Sequence, residues 1–539
     1  MKNFLTVFLI TCISSVFAQV STVDSLPPEN LNWYGKSPSI DKIQGVESDR
    51  AYKELLKDKT SKKTILVAVI DAGVDVTHED LQELIWINED EIPNNGKDDD
   101  NNGYVDDING WNFLGNSEGI NINESNLEIT RITRKFDPIF KGKTLETISA
   151  EDKSDFEMYV KAKAEFDETA EKYESRLDRF LGTKADFIAA ETALKSELKT
   201  EKLSQELVDS FTPTDSTLIK HKEMLSTSFK RGLTIERLDR IINYFETYTK
   251  YYTNLDFDPR ADIIGDDAYD INDNQYGNAD VKGADSGHGS MVAGIIGGIR
   301  NNGVGVDGIA DNVRFMALRT VPNGDEQDKD VALAIRYAAD NGANIINMSF
   351  GKYYSPLKSD VNEAVRYAAS KGVLMIKASG NDDTNIDEST QYPNAIDGDG
   401  TTIPNWITVG ANDQLLDKKL SATFSNYGKN NVHIYAPGVG IVSTVPDSRY
   451  DMANGTSFAC PVVAGVAALV WSYYPELSAS ELREILLTSG TSYKKKKVYQ
   501  PGYSQDKQIK TKFGKLSSTG SIVNAYNALE AAEKKTTEK

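Results

Sequence analysis

The stretch Asn454-Gly455-Thr456-Ser457-Phe458-Ala459-Cys460-Pro461-Val462-Val463-Ala464-Gly465 decides how this chain is interpreted. Its small residues form a turn that leads into the apolar run 462–471, which predicts a helix. Ser457 would then lie at a helix N-terminus, where free backbone N–H groups and the helix dipole favour negative charge. Gly-Thr-Ser before a helix is also an ordinary capping turn. A nucleophilic serine therefore needs a base, an orienting carboxylate and an oxyanion donor elsewhere in the chain.

Short apolar runs rich in β-branched residues recur along the chain, as expected of strands buried on both faces. They lie at 65–70, 315–318, 345–348, 373–376 and 407–409. Helical patterns separate several of them, notably 331–340 and 361–371. This alternation predicts an α/β fold with a doubly wound, mostly parallel sheet and helices on both faces.

Residues 116–258 depart from that alternation and consist mostly of charged helical segments. Apolar residues at helical spacing predict a long amphipathic helix that ends at Gly182, and a second helix that begins at Lys184. No catalytic motif occurs in this segment, so we interpret it as a helical insertion. A role in substrate gating or partner binding stays open for it.

The N-terminus has the features of a secretory signal peptide. Lys2 precedes the apolar run 4–17, and Val16-Phe17-Ala18 fits a cleavage site. We therefore expect an exported protein, secreted or periplasmic. Lipid anchoring through Cys12 is the less favoured alternative, because Thr11 stands where such cleavage sites have a smaller residue. Removal of the signal would leave Cys460 as the sole cysteine, so no internal disulfide is expected.

These patterns divide the chain into six parts. They are a signal peptide (1–18), an N-terminal arm (19–55), the first part of a catalytic domain (56–115), the helical insertion (116–258), the second part of the catalytic domain (259–532) and a loose tail (533–539). The formal net charge of −21 argues against nucleic acid or an anionic membrane surface as partner. No stretch after the signal is long and apolar enough to predict a membrane span.

Three further residues have the chemistry that Ser457 would need. Asp71 ends the first predicted strand, where functional groups of open parallel sheets gather, although a strand-ending Asp can also cap a turn. His288 lies among small residues before an apolar helical run and is one of only four histidines. Asn381 follows another predicted strand, and its amide would either donate to an oxyanion or close a turn.

Together these segments resemble the subtilisin-like serine proteases. The family's three blocks occur in its order, with Asp71 in Asp-Ala-Gly, His288 in His-Gly and Ser457 in Gly-Thr-Ser. That order differs from the α/β-hydrolases, in which the serine comes first. The resemblance implies that Ser457 is the nucleophile, His288 the base, Asp71 its orienting carboxylate and Asn381 an oxyanion donor.

The resemblance also implies a substrate cleft, whose walls are two backbone segments. They are Ser349, Phe350 and Gly351, and Ala378, Ser379 and Gly380. Several positions depart from the family pattern without removing a catalytic group: Ser290 and Met291 after the His-Gly pair, Phe350 in the cleft, and Phe458 and Val462 after the nucleophile. Phe350 is expected to reshape the cleft. We interpret Cys460 as a buried packing residue, with a reactive thiol as the alternative.

An acidic stretch between residues 98 and 107 indicates calcium. Oxygen-bearing side chains at alternate positions, followed by Gly103, match the first nine positions of an EF-hand-type loop. The predicted ligands are Asp98, Asp100, Asn102, the Tyr104 carbonyl and Asp106. Asn109 stands where such a loop has its bidentate Glu, and dense Asp/Asn runs also occur in solvated turns.

The sequence thus predicts an exported serine endopeptidase that acts on peptide or protein substrates. We expect a monomer with structural Ca²⁺ and no organic cofactor. The alternative is a protease-like binding or scaffold protein that works through the acidic loop and the helical insertion. An intact set of Asp71, His288, Ser457 and Asn381 favours the enzyme. Broad and narrow cleavage specificity both fit these motifs.

Overall fold

The computed structural model describes residues 31–397 and 400–538, which form two compact units. The first unit comprises the described residues up to Asn123 and from Pro259 onward, and the second is Glu124–Asp258. The predicted signal peptide (1–18), with Cys12, and residues 19–30 of the arm lie outside the described residues.

The helices and strands are labelled in chain order. The α-helices are α1 Ser48–Glu54, α2 Glu128–Phe140, α3 Lys153–Leu198, α4 Gln205–Ser210, α5 Ser216–Lys230, α6 Ile235–Thr247, α7 Gly287–Gly297, α8 Asp328–Asp340, α9 Lys358–Ser370, α10 Thr456–Tyr473, α11 Ala479–Ser489 and α12 Ala525–Thr537. The strands are β1 Ile65–Asp71, β2 Gly110–Asn112, β3 Val313–Arg319, β4 Ile345–Met348, β5 Leu374–Ala378, β6 Trp406–Asn412, β7 Ile434–Pro437, β8 Ile441–Val445, β9 Arg449–Ala453, β10 Thr491–Ser492, β11 Lys497–Tyr499, β12 Lys510–Lys512 and β13 Ser521–Ile522.

The first unit is built on a nine-stranded sheet in the order β10-β13-β7-β6-β5-β4-β1-β3-β2. Its pairings are parallel except for the antiparallel β10–β13 pair. After β1 the chain forms β2 and β3 on one side of it and then crosses to form β4 on the other side. Strand β1 therefore lies at the switch point of a doubly wound sheet. The predicted fold class is confirmed, and the predicted runs form β1 and β3–β6.

Alternation along β1 separates two hydrophobic layers. Val67 and Val69 face the layer that contains α7, α10, α11 and α12, whereas Ala68 and Ile70 face the layer of α8 and α9. Every residue of this strand except the partly buried Leu66 is buried, which explains its continuous apolar sequence.

Helix α10 is the most buried helix of this core. Among the described residues it is the one helix whose length and hydropathy would suffice to cross a membrane, but 94% of that window is buried inside the protein. It packs on the sheet through residues such as Val463 and Val466, both fully buried. Its apolar character therefore belongs to the core of the first unit.

The described part of the N-terminal arm is built into the same core. Trp33, Tyr34 and Val46 are buried, and the Trp33 indole donates to the Gly440 carbonyl at 3.0 Å. The backbone of Val46 accepts from the Ala525 N–H at 2.7 Å. These contacts tie the arm to both the β8 region and α12.

The second unit consists of α2–α6, and α3 is its longest element. Helix α3 runs through Gly182 without a break, so the predicted stop at that glycine is wrong. A glycine inside a helix costs only about 1 kcal/mol, which tertiary packing outweighs. Phe187 and Leu194 beyond Gly182, and Tyr173 before it, are all buried in the core of this unit.

Candidate active site

Four predicted site residues lie at the ends of elements of the first unit. Asp71 is the last residue of β1, and Asn381 lies three residues after the end of β5. His288 and Ser457 are each the second residue of a helix, α7 and α10 respectively. The switch point at β1 brings the strand ends and these helix starts to one edge of the sheet.

Asp71 and His288 form a direct pair. His288 Nδ1 donates to Asp71 Oδ1 at 2.7 Å, and the Asp71 side chain is 2% exposed. The Ala72 N–H donates to the same oxygen at 2.8 Å. A carboxylate that accepts a hydrogen bond from the Nδ1–H group fixes the tautomer of the imidazole. Nε2 is then the ring nitrogen that can take a proton.

The close approach of α7 to the end of β1 requires glycine. A Cβ at Gly289 would lie 2.1 Å from the Gly73 carbonyl oxygen and 3.1 Å from the Asp71 Cβ. Gly73 itself has φ +126°, a left-handed conformation that side chains rarely adopt. Any side chain at Gly289 would therefore push His288 away from Asp71.

The environment of His288 favours its protonated form. Burial acts to lower the pKa of this imidazole, but the carboxylates of Asp71 and Asp285 outweigh it, and the pKa is raised above its usual 6.5. The side chain remains 38% exposed, so the ring can be reached from solvent. Phe458 packs against the ring at a centroid distance of 5.4 Å.

Ser457 is held by a reciprocal pair of hydrogen bonds with Ser349 at the end of β4. Ser457 Oγ donates to the Ser349 carbonyl at 2.9 Å, and Ser349 Oγ donates to the Ser457 carbonyl at 2.8 Å. The Ser457 hydroxyl thus points at a backbone oxygen rather than at His288. Catalytic hydrogen bonds often form fully only with bound substrate, so this orientation is compatible with a nucleophile.

Thr456 orients the amide of Asn381. Asn381 Oδ1 accepts from the Thr456 N–H at 2.8 Å and from Thr456 Oγ1 at 2.9 Å, so Nδ2 points away from that residue. Thr456 Oγ1 also accepts from the Gly380 N–H at 3.1 Å. Nδ2 lies near Gly455, since a Cβ there would be 3.6 Å from it. Asn381 is exposed, so its amide N–H groups can reach a ligand.

One predicted wall segment follows β4 and the other begins at the last residue of β5, and the amine of the buried Lys377 lies between them. Lys377 is 2% exposed, and its Nζ donates to the Ala378 carbonyl at 2.9 Å and to Gln391 Oε1 at 2.8 Å. A Cβ at Gly351 would be 2.8 Å from Nζ. Burial lowers the pKa of Lys377 to about 8. No sequence motif identifies Gln391 as part of this site. Lys377 could have been identified, because a lysine directly after the apolar run 373–376 indicates a charged group at the end of a buried strand.

A carboxylate cluster lies near the predicted calcium loop, but its members differ from the predicted ligands. Glu91, Asp100 and Asp107 offer oxygen atoms within 4.8 Å of one another. Burial raises the pKa of both Glu91 and Asp107. Asn102 Nδ2 donates to both Asp100 and Asp107, at 3.1 and 3.0 Å. An all-oxygen set of carboxylates fits a hard cation such as Ca²⁺.

Two of the other predicted ligands, the Asp98 and Asp106 carboxylates, accept hydrogen bonds from backbone N–H groups. The Asp98 carboxylate accepts from the backbone N–H groups of Asn102 and Gly103, at 3.0 and 2.8 Å. Asp106 accepts in the same way from residues 95 and 96, at 3.0 and 2.9 Å. The structure therefore brings together Asp100 and Asn102 of the predicted set, and adds Glu91 and Asp107.

The Cys460 thiol is buried in the core next to Asn347 and is not exposed in the proposed active site. The residue is fully buried, and its Sγ donates to Asn347 Oδ1 at 3.2 Å. Burial raises the pKa of the thiol to about 12, so a reactive thiolate does not form at neutral pH. The packing role predicted for Cys460 fits these surroundings.

The sequence of this chain was compared with protein families and with known proteins, and the matches point to one family. The sequence profile of the subtilase family matches residues 62–515 of this chain. The chain is 41% identical over 224 residues to a thermophilic serine proteinase from Bacillus sp. (strain AK1), covering 41% of this chain and 49% of that protein. It is 39% identical over 209 residues to alkaline elastase YaB from Bacillus sp. (strain YaB), covering 38% of this chain and 50% of that protein.

A solved structure of a protease from Pseudoalteromonas arctica is also similar, at 26% identity and a TM-score of 0.38. The similarity covers 48% of this chain and 80% of that one. The chain spans about half the length of the curated relatives named above.

Proposed function

Because the chain belongs to the subtilase family, we propose that it is a serine-type endopeptidase that hydrolyses peptide bonds in peptides or proteins. The observation that carries this proposal is the 2.7 Å hydrogen bond from His288 Nδ1 to Asp71 Oδ1. Ser457 belongs to the same site, because the adjacent Phe458 packs against the His288 ring at a centroid distance of 5.4 Å. Asp71, His288 and Ser457 are the proposed catalytic residues.

The proposed reaction begins with transfer of the Ser457 hydroxyl proton to His288 Nε2. The Ser457 oxygen then bonds to the scissile carbonyl carbon, and the imidazolium returns the proton to the leaving amine. A water molecule repeats the sequence on the acyl-enzyme and releases the second product. Asp71 stabilises the imidazolium, which agrees with its role in raising the pKa of His288.

We assign the oxyanion to the Asn381 side chain and the Ser457 backbone N–H. The Thr456 contacts support this role for Asn381, because they direct its carbonyl oxygen away and leave Nδ2 to donate. Loss of one such donor costs about 3 kcal/mol of transition-state stabilisation, a value that was measured in subtilisin. The segments 349–351 and 378–380 would bind the substrate as an added extended strand.

Active-site labelling tests this function directly. A fluorophosphonate probe should label the wild-type protein, and Ser457→Ala should abolish both labelling and peptide cleavage. Ser518→Ala is a matched control, because Ser518 is exposed and belongs to a different segment. Cleavage that survives in Ser457→Ala would disprove the mechanism. An unlabelled wild-type protein would favour the binding-protein alternative.

We also propose that Glu91, Asp100 and Asp107 hold a structural Ca²⁺. The cation would neutralise two buried carboxylates and one half-buried carboxylate whose oxygen atoms lie within 4.8 Å of one another, and would thereby stabilise the loop that precedes β2. Chelation by EDTA should then lower the melting temperature, and Ca²⁺ should restore it. Asp107→Asn should remove this response, whereas Asp270→Asn should keep it, since Asp270 is an exposed acid outside the cluster. An unchanged melting temperature would contradict the site.

Export is the remaining part of the proposal. The basic residue, apolar run and small-residue cleavage site within residues 1–18 support it. Cell fractionation should recover the mature protein outside the cytoplasm with an N-terminus near Gln19. Cys12→Ser should leave its localisation unchanged, because lipid attachment at that residue is the less favoured alternative.

A further inference from the structure

One hairpin of this acidic protein is strongly basic. Residues 494–515, here named the basic hairpin, contain eight lysines and one acidic residue, Asp506, in a chain of formal net charge −21. Seven of the lysines are exposed: Lys494, Lys495, Lys497, Lys507, Lys510, Lys512 and Lys515. The basic charge is therefore presented to solvent rather than used in the core.

The strand pairing concentrates this charge on one face. Lys497 lies directly opposite Lys512, and Tyr499 lies opposite Lys510, in the antiparallel pair β11–β12. Val498 is fully buried, so residues 497 and 499 point to the outer face. Directly opposite residues have Cβ atoms about 5 Å apart, and like charges at that spacing destabilise a sheet.

No carboxylate of the described residues makes an ion pair with these lysines. Lys496 instead donates to the Leu416 carbonyl, at 2.6 Å. Lys497 and Lys512 therefore face each other with no ion-pair partner among the described residues. An external anion would relieve this repulsion.

The loop of the basic hairpin lies beside Asp383, close in sequence to the proposed active site. A Cβ at Gly502, in its loop, would lie 2.8 Å from Asp383 Oδ2, and the Gly502 N–H donates to the Thr423 carbonyl at 2.6 Å. Asp383 follows the oxyanion residue Asn381 by two positions. Lys507 acts on the same carboxylate, since its charge opposes the rise that burial causes in the pKa of Asp383.

We propose that the basic hairpin docks acidic segments of protein substrates next to the catalytic residues, an inference that rests on the proposed peptidase function. A polypeptide is the partner that must lie beside Asn381 during that reaction. A flexible acidic segment can contact the hairpin alone, within a Debye length of about 8–10 Å. An anionic membrane would instead bring a broad negative surface towards the acidic remainder of the protein.

Matched substrates test this inference. The same fluorogenic peptide is prepared with a hexaglutamate or a hexaserine extension, at either end in separate series. For wild type, kcat/KM should be about tenfold higher with hexaglutamate in at least one series at low ionic strength, mainly through KM. The difference should shrink towards one in about 0.5 M salt, because screening removes it.

Charge variants assign the effect to the hairpin. Lys497→Glu/Lys512→Glu should abolish the preference while leaving kcat/KM for the hexaserine peptide unchanged. Lys57→Glu/Lys371→Glu makes the same change in net charge at exposed lysines outside the hairpin and should retain most of the preference. The hairpin variant should unfold at the wild-type temperature, because both side chains are exposed.

The outcomes separate the two proposals. If neither peptide is cleaved, the peptidase function fails. If both are cleaved but the preference is absent, or is equal in both double variants, the docking inference is overturned. It is also overturned if hexaglutamate gives no gain while a sulfated polysaccharide column retains wild type but not Lys497→Glu/Lys512→Glu, since the hairpin would then serve a glycan.

Discussion

His288 is held by one buried carboxylate and influenced by a second, exposed one. Asp71 accepts from Nδ1 at 2.7 Å, whereas Asp285 acts on the imidazole through its charge alone. The first contact fixes geometry as well as charge, and the second adjusts only the proton affinity. The two roles can therefore be separated by substitution.

Asp285→Asn should shift the pH dependence without removing catalysis. A base must be neutral to act, so kcat/KM should fall as the pH drops through the raised pKa of His288. Removing the Asp285 charge lowers that pKa, and the acidic limb should move to lower pH with little change in the plateau. Glu118→Gln, at an exposed acid elsewhere, should leave the profile in place. An unshifted limb in Asp285→Asn would contradict this electrostatic role.

Thr456 is expected to be a positioning residue for the oxyanion donor. Thr456→Val keeps the shape but removes the hydroxyl that donates to Asn381 and accepts from Gly380. We expect kcat to fall by about 10- to 100-fold with KM little changed, because the amide is misoriented rather than removed. Thr456→Ser should restore most of the activity. An equal loss in both variants, or a loss explained by unfolding, would exclude the positioning role.

Two helical glycines show how the surroundings of a helix determine the effect of adding a side chain. Gly182 in α3 has no atom within 4 Å of an added Cβ, whereas a Cβ at Gly289 in α7 would lie 2.1 Å from the Gly73 carbonyl oxygen. Gly182→Ala should therefore stabilise the second unit by about 0.5–1 kcal/mol, because alanine favours the helix. Gly289→Ala should abolish cleavage by displacing His288. Chemical denaturation and peptide hydrolysis measure the two effects, and a destabilised Gly182→Ala would show that the helix is strained there.

The elements differ in how far their sequence determines them. The long, buried strands β1 and β3–β6 are evident from their apolar runs, whereas β2, β10 and β13 have only two or three residues and no pattern of their own. The Asp71, His288 and Ser457 motifs follow from local sequence. The carboxylate cluster does not, because Glu91 enters it from outside the loop and Asp107, rather than Asp106, faces it. Lys377 and Gln391 meet only through the folded chain.

At the scale of the molecule, the second unit interrupts the first between Asn123 and Pro259. Both ends of that interruption are anchored within the first unit. The Asn323 N–H donates to the Asn123 carbonyl at 2.8 Å, and Arg260 pairs with buried Asp330 at 2.8 Å. Asn116 Nδ2 also donates to the Ile263 carbonyl at 3.0 Å, so the chain segments that precede and follow the second unit lie close together.

Replacing residues 124–258 by a flexible linker should therefore leave the first unit folded. A linker of about ten Gly and Ser residues, which spans about 17 Å on average, would join Asn123 to Pro259. We expect fluorophosphonate labelling and cleavage of a short neutral peptide to persist, because the proposed catalytic residues and the basic hairpin all belong to the first unit. Ser457→Ala in the same background controls for labelling elsewhere. Loss of labelling together with loss of the thermal transition would mean that the first unit depends on the second for folding. Loss of labelling in a folded variant would instead give the second unit a direct part in catalysis.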